Sequence, residues 1–364
     1  MSTDDLPRDQ IIQGDCVAIM RQLPDRCVDL VFADPPYNLQ LQNKLYRPNQ
    51  TLVDAVNDEW DNFASFQSYD AFARSWLTEC LRVLKDSGAI WVIGSYHNIF
   101  RLGTIMLDLG FWILNDLVWH KTNPMPNFRG TRFTNATETL IWAKKSEEQK
   151  KYTFNYRAMK NFNGGKQMQN VWRIPLCTGQ ERIKLDGKKA HSTQKPEALL
   201  YRVLLASTNP GDLVLDPFFG VGTTGAVAKK LKRGFIGIEQ DAGYVALARK
   251  RIAALPDEQV LPEALEIVSK RDLPRVPFSR LIESGYIRPG QKLFALGRQV
   301  SATVKADGHL LMNGASGSIH QLAAAAAGKA SQNGWEFWHF RGPGGKLEKI
   351  DTLRARYREK AQGG

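Results

Sequence analysis

A short apolar segment that ends at two prolines most constrains how this chain can fold. Residues 28–33 are apolar except for Asp29, and Asp34-Pro35-Pro36-Tyr37 follows them directly. A short apolar run closed by prolines is typical of a buried β-strand, because proline has no N–H to donate to a sheet ladder. The polar tetrapeptide is therefore predicted at the carboxyl end of a buried strand.

Similar apolar segments alternate with helical patterns over the first 255 residues. We predict further strands at 89–94, 213–216 and 234–239. We predict helices at 68–85, with Gly88 as the stop, and at 197–207, 222–231 and 242–254. Such alternation is typical of a doubly wound, Rossmann-like α/β fold with a mostly parallel sheet. Sheets of this kind bind ligands at the carboxyl ends of their strands.

Composition divides the chain into two predicted domains. Residues 1–255 form the first, and 256–277, which four prolines punctuate, form a linker. Residues 278–364 form a small, basic α+β domain. Within it we predict helices at 279–284 and over the alanines 323–327, and strands at 293–295, 302–304 and 335–340.

The net charge of +12 indicates a polyanionic partner. From Arg271 to Gly364, 15 basic residues stand against 7 acidic ones, so +8 of the +12 lies in the last quarter of the chain. Basic side chains gain affinity for nucleic acid because they release counterions from its phosphates. A generally basic soluble protein without such a partner is the alternative.

The sequence shows no sign of a metal site or of a membrane segment. The four cysteines are scattered without a C-x-x-C pair, and the six histidines form no H-E-x-x-H motif. We therefore expect reduced thiols and no metal. The polar N-terminus and the lack of an apolar run of roughly 18 residues predict no signal peptide and no membrane span, and hence a cytoplasmic protein.

A glycine-rich segment follows the predicted strand at 213–216. Residues 216–225 read Asp-Pro-Phe-Phe-Gly-Val-Gly-Thr-Thr-Gly. Glycines between a strand and a helix let a ligand approach the backbone closely at the helix N-terminus. The segment also contains G-x-G-x-x-G, with Glu239 nineteen residues after Gly220, so a dinucleotide site is an alternative. The Asp-Pro pair ahead of the glycines and the tetrapeptide at Asp34 argue against hydride transfer.

The tetrapeptide suits chemistry on an aromatic amine. The lone pair of such an amine is delocalised into the ring, and an acceptor on each N–H frees it for attack. Asp34 can supply one acceptor and the Pro35 carbonyl the other, which the fixed prolyl φ holds in place. Tyr37 offers a face on which a base turned out of a duplex could stack. A proline-rich turn that only ends a strand is the alternative.

Together, the two motifs resemble the catalytic and cofactor motifs of amino-methylating DNA methyltransferases. The tetrapeptide precedes the glycine motif by about 180 residues, which is similar to the permuted order of the beta class. Gly14-Asp15-Cys16 and the segment 191–196, His-Ser-Thr-Gln-Lys-Pro, also match that group, so the resemblance covers residues 10–255. In particular, the chain resembles the alpha-proteobacterial cell-cycle-regulated adenine methyltransferases, whose target is GANTC. The tail after Phe278 resembles the small domain appended to such enzymes. Its charge of +8 and its aromatic segment 335–340 predict DNA contact, with an aromatic core strand as the alternative.

The resemblance implies a class I methyltransferase fold and transfer of methyl from S-adenosylmethionine to adenine N6 in double-stranded DNA, by base flipping and direct displacement. It implies the catalytic residues Asp34, Pro35, Pro36 and Tyr37. It implies cofactor contacts from Asp15, Lys195, Pro196, Asp216, Phe218, Phe219, Gly220, Gly222, Thr223, Thr224 and Glu239. Of these, Glu239 would accept hydrogen bonds from both ribose hydroxyls, and Lys195 is alternatively part of a plain helix N-terminus. A homodimer associated with the nucleoid, acting in DNA replication and the cell cycle, is also implied.

The resemblance further places a target recognition region at residues 121–189. This region is rich in basic, amide and aromatic side chains, Trp172 among them, which suit base edges and phosphates. We expect DNA contacts from Lys121, Asn123, Asn127, Arg129, Arg132 and Arg173. Residues 39–57 are predicted to be either a lid over DNA or an ordinary surface loop.

Three other functions remain open at this point. Cytosine-N4 methylation uses the same geometry, but that group usually has Ser in place of Asp34. Methylation of RNA or of a protein glutamine amide is more often accompanied by Asn at this position. A non-catalytic DNA-binding protein would have no need of Asp34, Tyr37 and Glu239 together. Cytosine-C5 methylation is disfavoured, because no cysteine follows a proline.

Overall fold

The computed structural model describes residues 6–38, 61–127, 130–185, 187–191, 193–256, 275–297 and 300–362. The chain divides into two compact units, Met1–Ile267 and Val268–Gly364. Most of the predicted linker 256–277 and all of the predicted lid 39–57 lie outside the described residues. Among the helices described, none is long and apolar enough to cross a membrane.

A sheet of eight strands forms the centre of the first unit. The strands of this unit are β1 (Gln10–Gln13), β2 (Val28–Ala33), β3 (Leu84–Gly94), β4 (Trp112–Lys121), β5 (Thr137–Lys144), β6 (Val171–Ile174), β7 (Lys184–Leu185), β8 (Lys188–Lys189), β9 (Leu213–Asp216) and β10 (Gly234–Glu239). Its helices are α1 (Cys16–Met20), α2 (Phe66–Val83), α3 (Ile99–Asp108), α4 (Tyr156–Phe162), α5 (Glu197–Ser207), α6 (Thr223–Lys230) and α7 (Ala242–Ala253).

The strand order in the large sheet is β1-β10-β9-β2-β3-β5-β4-β6, while β7 pairs only with β8. Neighbouring strands from β1 to β3 are parallel, β5 is antiparallel to both β3 and β4, and β6 is parallel to β4. The predicted mostly parallel, doubly wound α/β fold is therefore confirmed.

The central strands are buried on both faces of the sheet. In β2, Val31 and Ala33 pack into the hydrophobic cluster that includes α1, α2 and α3. Leu30 and Phe32 pack into the opposite cluster, with α5, α6 and α7. Because successive side chains of a strand point to opposite faces, a strand covered on both sides needs apolar residues at nearly every position. This accounts for the apolar run before Asp34.

The strand order brings the two sequence motifs together. β9 lies between β2 and β10, with Val31 opposite Leu215 on one side and Gly237 opposite Asp216 on the other. All three strands run in the same direction, so their carboxyl ends meet at one edge of the sheet. The segments that begin at Asp34, Asp216 and Glu239 therefore lie side by side.

One predicted helix has different ends in the structure. Ser65 and Ser68 form a reciprocal capping box, which starts α2 before the predicted residue 68. Leu84 has an extended backbone and pairs with Val28 as the first residue of β3. Gly88 consequently lies within a strand and does not end the helix.

The second unit contains an antiparallel sheet of six strands, which confirms the predicted α+β class. Its strands are β11 (Lys292–Ala295), β12 (Ser301–Val304), β13 (Leu310–Met312), β14 (Ala315–Gly317), β15 (Trp338–Arg341) and β16 (Leu347–Lys349), in the order β14-β13-β12-β11-β15-β16. Its helices are α8 (Phe278–Glu283), α9 (Ile319–Ala327), α10 (Gly334–Phe337) and α11 (Asp351–Gln362). The predicted strand 335–340 is wrong in its first half, because residues up to Phe337 belong to the short helix α10 and the strand begins at Trp338. The Asn333 side chain caps this helix by accepting a hydrogen bond from the Trp335 N–H.

Candidate active site

A cavity of about 760 Å³ opens at the carboxyl ends of β1, β2, β9 and β10. All four predicted catalytic residues, Asp34, Pro35, Pro36 and Tyr37, line it. So do nine of the predicted cofactor residues: Asp15, Lys195, Asp216, Phe218, Phe219, Gly220, Thr223, Thr224 and Glu239. The other two act at helix ends, since Pro196 is the N-cap residue of α5 and Gly222 that of α6. The structure therefore gathers two motifs about 180 residues apart into one site.

The glycine loop between β9 and α6 has a backbone that few other residues could adopt. Gly220 and Gly222 have φ angles of +52° and +79°, in the left-handed region. A Cβ on Gly222 would lie 3.0 Å from the Cβ of Ala248 in α7. The Phe219 ring stacks on Phe235 of β10, with ring centroids 5.6 Å apart, and anchors the loop to the sheet. The loop is thus a rigid wall of the cavity.

Three carboxylates line the cavity at the ends of the central strands. Glu239 accepts hydrogen bonds from the Gly220 N–H at 2.7 Å and the Asp241 N–H at 2.9 Å, one on each oxygen, and burial raises its pKa. Asp216 accepts from the Thr224 hydroxyl at 2.5 Å, and burial raises the pKa of Asp216 to about 7. Asp34 is the third. A wall of this kind suits a ligand that carries positive charge.

His191 also lines the cavity, as a neutral ring beside Gly220. Its Nδ1 accepts a hydrogen bond from the Thr193 N–H at 3.2 Å, and its ring packs on Tyr244 with centroids 4.6 Å apart. Burial and the cations of Lys195 and Arg182 lower the pKa of His191 to about 4. The ring therefore adds no positive charge to the cavity at neutral pH.

Five side chains from four segments form what we call the buried charge cluster. The Lys195 ammonium lies 2.7 Å from Asp34 Oδ2, and the Lys121 ammonium lies 2.8 Å from Glu138 Oε1. The Tyr37 hydroxyl lies between the two carboxylates, 3.1 Å from Asp34 Oδ1 and 2.9 Å from Glu138 Oε2. Two cations face two anions, so the cluster is close to neutral.

The pKa values within the cluster follow from burial and from this pairing. Burial raises the pKa of Asp34, and the Lys195 ammonium only partly opposes this rise. Burial would also raise the pKa of Glu138, but Lys195 and Lys121 lower it below its usual range. Burial would lower the pKa of Lys195, but the two carboxylates raise it. At neutral pH, Glu138 is ionised and Lys195 is protonated.

The backbone of the catalytic segment is held by residues that the sequence did not single out. Asp61 Oδ1 accepts the N–H groups of Tyr37 and Asn38, at 2.5 and 2.7 Å. The Pro36 carbonyl accepts from the Tyr69 hydroxyl of α2 at 2.9 Å and from the amide of Asn98 at 3.2 Å. These bonds leave the Pro36 carbonyl occupied and fix the segment against α2 and α3.

The residues expected at DNA have varied positions. Lys121 is only 7% exposed and paired with Glu138, so its expected surface position is corrected to the buried charge cluster. Trp172 is 3% exposed and packs on Trp91 in the core, because its ring covers the apolar face of the sheet. Arg129 lies outside the described residues.

The other expected DNA contacts lie at or near the surface. The side chains of Asn123, Arg132 and Arg173 are exposed, and Asn127 is half-buried. Arg132 donates to the Tyr96 hydroxyl at 2.5 Å, and Asn127 donates to the carbonyl of Arg132 at 3.0 Å. These residues form no common cluster with the cavity wall.

No pattern near Asp34 could have indicated Glu138. It lies 104 positions later, inside an apolar strand, and only the antiparallel pairing of β4 with β5 brings it beside Lys121. Within the described part of the chain, no group of three His, Cys, Asp or Glu side chains could hold a metal ion.

Comparison with known proteins agrees with this geometry. Residues 28–250 match the family described as DNA methylase, and residues 261–363 match the family described as Restriction Enzyme Adenine Methylase Associated. The chain is 48% identical over 350 residues to the Type II methyltransferase M.HinfI of Haemophilus influenzae, which covers 95% of this chain and 96% of that protein.

Two further comparisons cover about two thirds of this chain. The chain is 42% identical over 244 residues to the Type II methyltransferase M2.DpnII of Streptococcus pneumoniae, covering 67% of this chain and 89% of that one. Among solved structures, the PvuII DNA methyltransferase, described as cytosine-N4-specific, is 25% identical with a TM-score of 0.53, over 70% of this chain and 89% of its own. The chain therefore belongs to the DNA methylase family of N6- and N4-directed methyltransferases.

Proposed function

We propose that this protein transfers a methyl group from S-adenosylmethionine to N6 of adenine in double-stranded DNA, within the sequence GANTC. The observation that carries the proposal is Asp34, a carboxylate at the wall of the cavity, in contact with a lysine and a tyrosine. A carboxylate accepts a hydrogen bond from an exocyclic amine and favours the positive charge that grows on it. The target sequence is supported by the resemblance and by the relatedness to M.HinfI.

The cavity fits S-adenosylmethionine in size and in charge. Its volume of about 760 Å³ lies within the range of small-molecule sites. Its carboxylates suit the cationic groups of the cofactor, and Glu239, at the end of β10, would accept from the ribose hydroxyls. When bound, S-adenosylmethionine supplies an electrophilic methyl group on a sulfonium.

The residues of the chain would bind and orient the target base. A base turned out of the duplex would place its amine between Asp34 and the Pro35 carbonyl. Asp61, Tyr69 and Asn98 hold the backbone of this segment, so the two acceptors are fixed before the base arrives. Tyr37 lines the cavity, so its expected role as the face on which the base stacks stays part of the proposal. Its ring is 8% exposed and the Lys195 ammonium lies 5.1 Å from its centroid, so it also belongs to the buried charge cluster.

Replacement of Asp34 tests the proposal directly. Asp34→Ala removes an acceptor and leaves the glycine loop and Glu239 in place. We expect the rate of methyl transfer to fall at least 100-fold, as when one preorganised partner of the transition state is lost, while the cofactor still binds. Transfer at the wild-type rate would contradict the role of Asp34.

Cytosine-N4 methylation is the second candidate, and the likeness to the PvuII enzyme is the observation that favours it. Both reactions need acceptors on an exocyclic amine, so the cavity alone suits either. Asp34 favours adenine, because Ser usually stands at this position in the cytosine-N4 group. Mapping of the methylated base separates the two.

For the second unit we propose DNA contact through a basic cavity of about 740 Å³. Three arginines line it, Arg275, Arg354 and Arg358, together with Trp335, on which the Arg354 guanidinium lies at 4.0 Å. If Arg275 contacts a phosphate, Arg275→Gln reduces the slope of log K against log salt by about one. The matched control Arg280→Gln removes an exposed arginine that is paired with Glu283, and we expect an unchanged slope.

We also propose that residues 121–189 include the target recognition region, and that the protein is a homodimer in the cytoplasm, associated with the nucleoid. A role in replication and the cell cycle, as in the alpha-proteobacterial enzymes, belongs to the same proposal. Only the resemblance supports these points. Sedimentation at micromolar concentration tests the dimer, and a monomer at every concentration would exclude it.

A further inference from the structure

The Tyr37 hydroxyl faces two acceptors but has one proton. It lies 3.1 Å from Asp34 Oδ1 and 2.9 Å from Glu138 Oε2, so it can donate to only one of them at a time. Rotation of the hydroxyl hydrogen alone transfers the bond from Asp34 to Glu138. No heavy atom has to move.

The Lys195 ammonium has a similar choice. It lies 2.7 Å from Asp34 Oδ2 and 3.8 Å from Glu138 Oε2. A shift of about 1 Å would bring it within the usual distance for an ion pair with Glu138. In the structure, both oxygens of Asp34 thus face a donor from the protein.

A target amine that docks at Asp34 needs an oxygen that can accept its hydrogen bond. Both oxygens already contact a donor, the Tyr37 hydroxyl or the Lys195 ammonium. Glu138 Oε2 is the group to which both donors could turn, because it lies within reach of each. The other oxygen of Glu138 is held by Lys121 at 2.8 Å, and this pairing keeps the carboxylate ionised and in place. Glu138 is therefore built to receive hydrogen bonds that Asp34 gives up.

We propose that Glu138 is a positioning residue, which takes the Tyr37 hydroxyl and the Lys195 ammonium from Asp34 when the target amine docks, with Lys121 as its fixed counter-ion. This inference rests on the proposed function of the site. It adds that Asp34 is available to the base only because a second carboxylate lies behind it. Glu138 itself does not touch the base.

If the Glu138–Lys121 pair were purely structural, its loss would affect folding but would not move the pH dependence of the rate. Removal of one partner of a buried ion pair is destabilising because it leaves the other charge unpaired, whether or not the pair takes part in chemistry. The groups that face Asp34 are Lys195, Glu138 and Tyr37, together with the Asp216 carboxylate of the neighbouring strand. Those that face Glu138 are Lys121, Lys195 and Tyr37. The negative charge of Glu138 raises the pKa of Asp34, so its removal has a defined effect on the pH dependence of the rate.

The test is Glu138→Gln in the full-length protein, with pre-steady-state methylation of a duplex that contains the target measured against pH. We expect a fall in rate of roughly 10- to 100-fold, the value of one hydrogen bond to a charged group. The acid limb of the profile should move to lower pH, because Asp34 loses a neighbouring negative charge. Dissociation constants for the cofactor and for DNA should stay within about twofold, since Glu138 is buried and does not line the cavity.

Two further variants keep the outcome interpretable. Lys121→Met together with Glu138→Gln removes both charges of the pair, so it answers the question if the single variant leaves Lys121 unpaired and fails to fold. Glu79→Gln is the matched control: its carboxylate is about as buried, with 13% side-chain exposure against 10% for Glu138, and is paired with Arg82 on α2. We expect Glu79→Gln to leave the rate and the pH profile unchanged.

An unchanged rate, or a lower rate with an unmoved acid limb, would overturn the role of Glu138 while the proposed function stands. Failure of the wild-type protein to methylate adenine would instead overturn the proposed function. The two failures are therefore distinguishable in one series of assays.

Discussion

Substitution of Gly222 by alanine should destabilise the first unit and weaken cofactor binding. The φ of +79° is in the left-handed region, which costs an alanine about 1–2 kcal/mol. The added Cβ would lie 3.0 Å from the Cβ of Ala248 and 3.2 Å from the Phe219 ring, and such overpacking costs about 1–3 kcal/mol more. Alanine also lowers the conformational entropy of the unfolded chain, which offsets about 0.4–1 kcal/mol of this destabilisation. Together these contributions predict a loss of about 1–4.6 kcal/mol.

Gly211→Ala is the matched control for this prediction. Gly211 has a φ of +86° in the same unit, but no atom lies within 4 Å of its Cβ position. The Gly211→Ala variant therefore has the backbone strain without the crowding. We expect its unfolding free energy to fall by about 1 kcal/mol or less. The difference between the two variants isolates the close packing of the glycine loop on α7.

The assay is urea unfolding, with hydrogen exchange of the β9 and β10 amides to assign the transition to the first unit, because a chain of two units need not unfold in one step. Cofactor affinity measured by calorimetry should fall for Gly222→Ala and stay unchanged for Gly211→Ala. Equal stability losses in the two variants would refute the argument from crowding.

Three other predictions concern the carboxylates and the catalytic segment. Burial raises the pKa of Asp216 to about 7, so the ionisation of this group should by itself remove about 4 kcal/mol of unfolding free energy from the free protein as the pH rises from about 4 to about 7. Asp216→Asn should remove this contribution, so the profile of the variant should fall less, or rise more, over this range. A profile that is equally steep in the variant would contradict this assignment. Tyr69→Phe removes the hydroxyl that donates to the Pro36 carbonyl. It should lower the unfolding free energy measured in urea by about 1–2 kcal/mol and should lower the rate of methyl transfer. If neither quantity changes, other contacts hold the segment. Glu239→Gln should weaken cofactor binding about tenfold with less effect on DNA binding, because a neutral amide is a weaker acceptor than the carboxylate for the ribose hydroxyls and for the Gly220 N–H. A loss confined to DNA binding would argue against the position assigned to the cofactor.

Much of the fold could be predicted because its signals are local. The apolar run before Asp34 and the glycines before α6 each occupy a few consecutive residues, and parallel strand order then brings them to one edge. The segments that were misassigned had competing local signals. Trp335 belongs to a capped helical turn although its neighbours are aromatic residues that favour strands, and Leu84 changes from helix to strand without a glycine or proline.

The part of the site that could not be predicted depends on long-range contacts. Glu138 and Lys121 belong to no sequence motif, and Lys121 was expected at DNA. The pairing of β4 with β5 is what brings the two side chains together. Asp61 is 24 positions from Tyr37. Lys195 was expected at the cofactor, but its ion pair with Asp34, 161 positions away, was not predicted. A pattern read along the chain identifies side chains that act at the end of their own strand, but not those that reach the same point from another part of the sheet.

The most direct test of the central claim is the identity of the methylated base. A duplex with one GANTC site contains both an adenine and a cytosine amine, so a single substrate offers both candidates. After incubation with S-adenosylmethionine, digestion to nucleosides and mass spectrometry should show N6-methyladenine, which should be absent from a duplex without the site and absent with Asp34→Ala. N4-methylcytosine as the product, or no methylated base with the wild-type protein, would contradict the account.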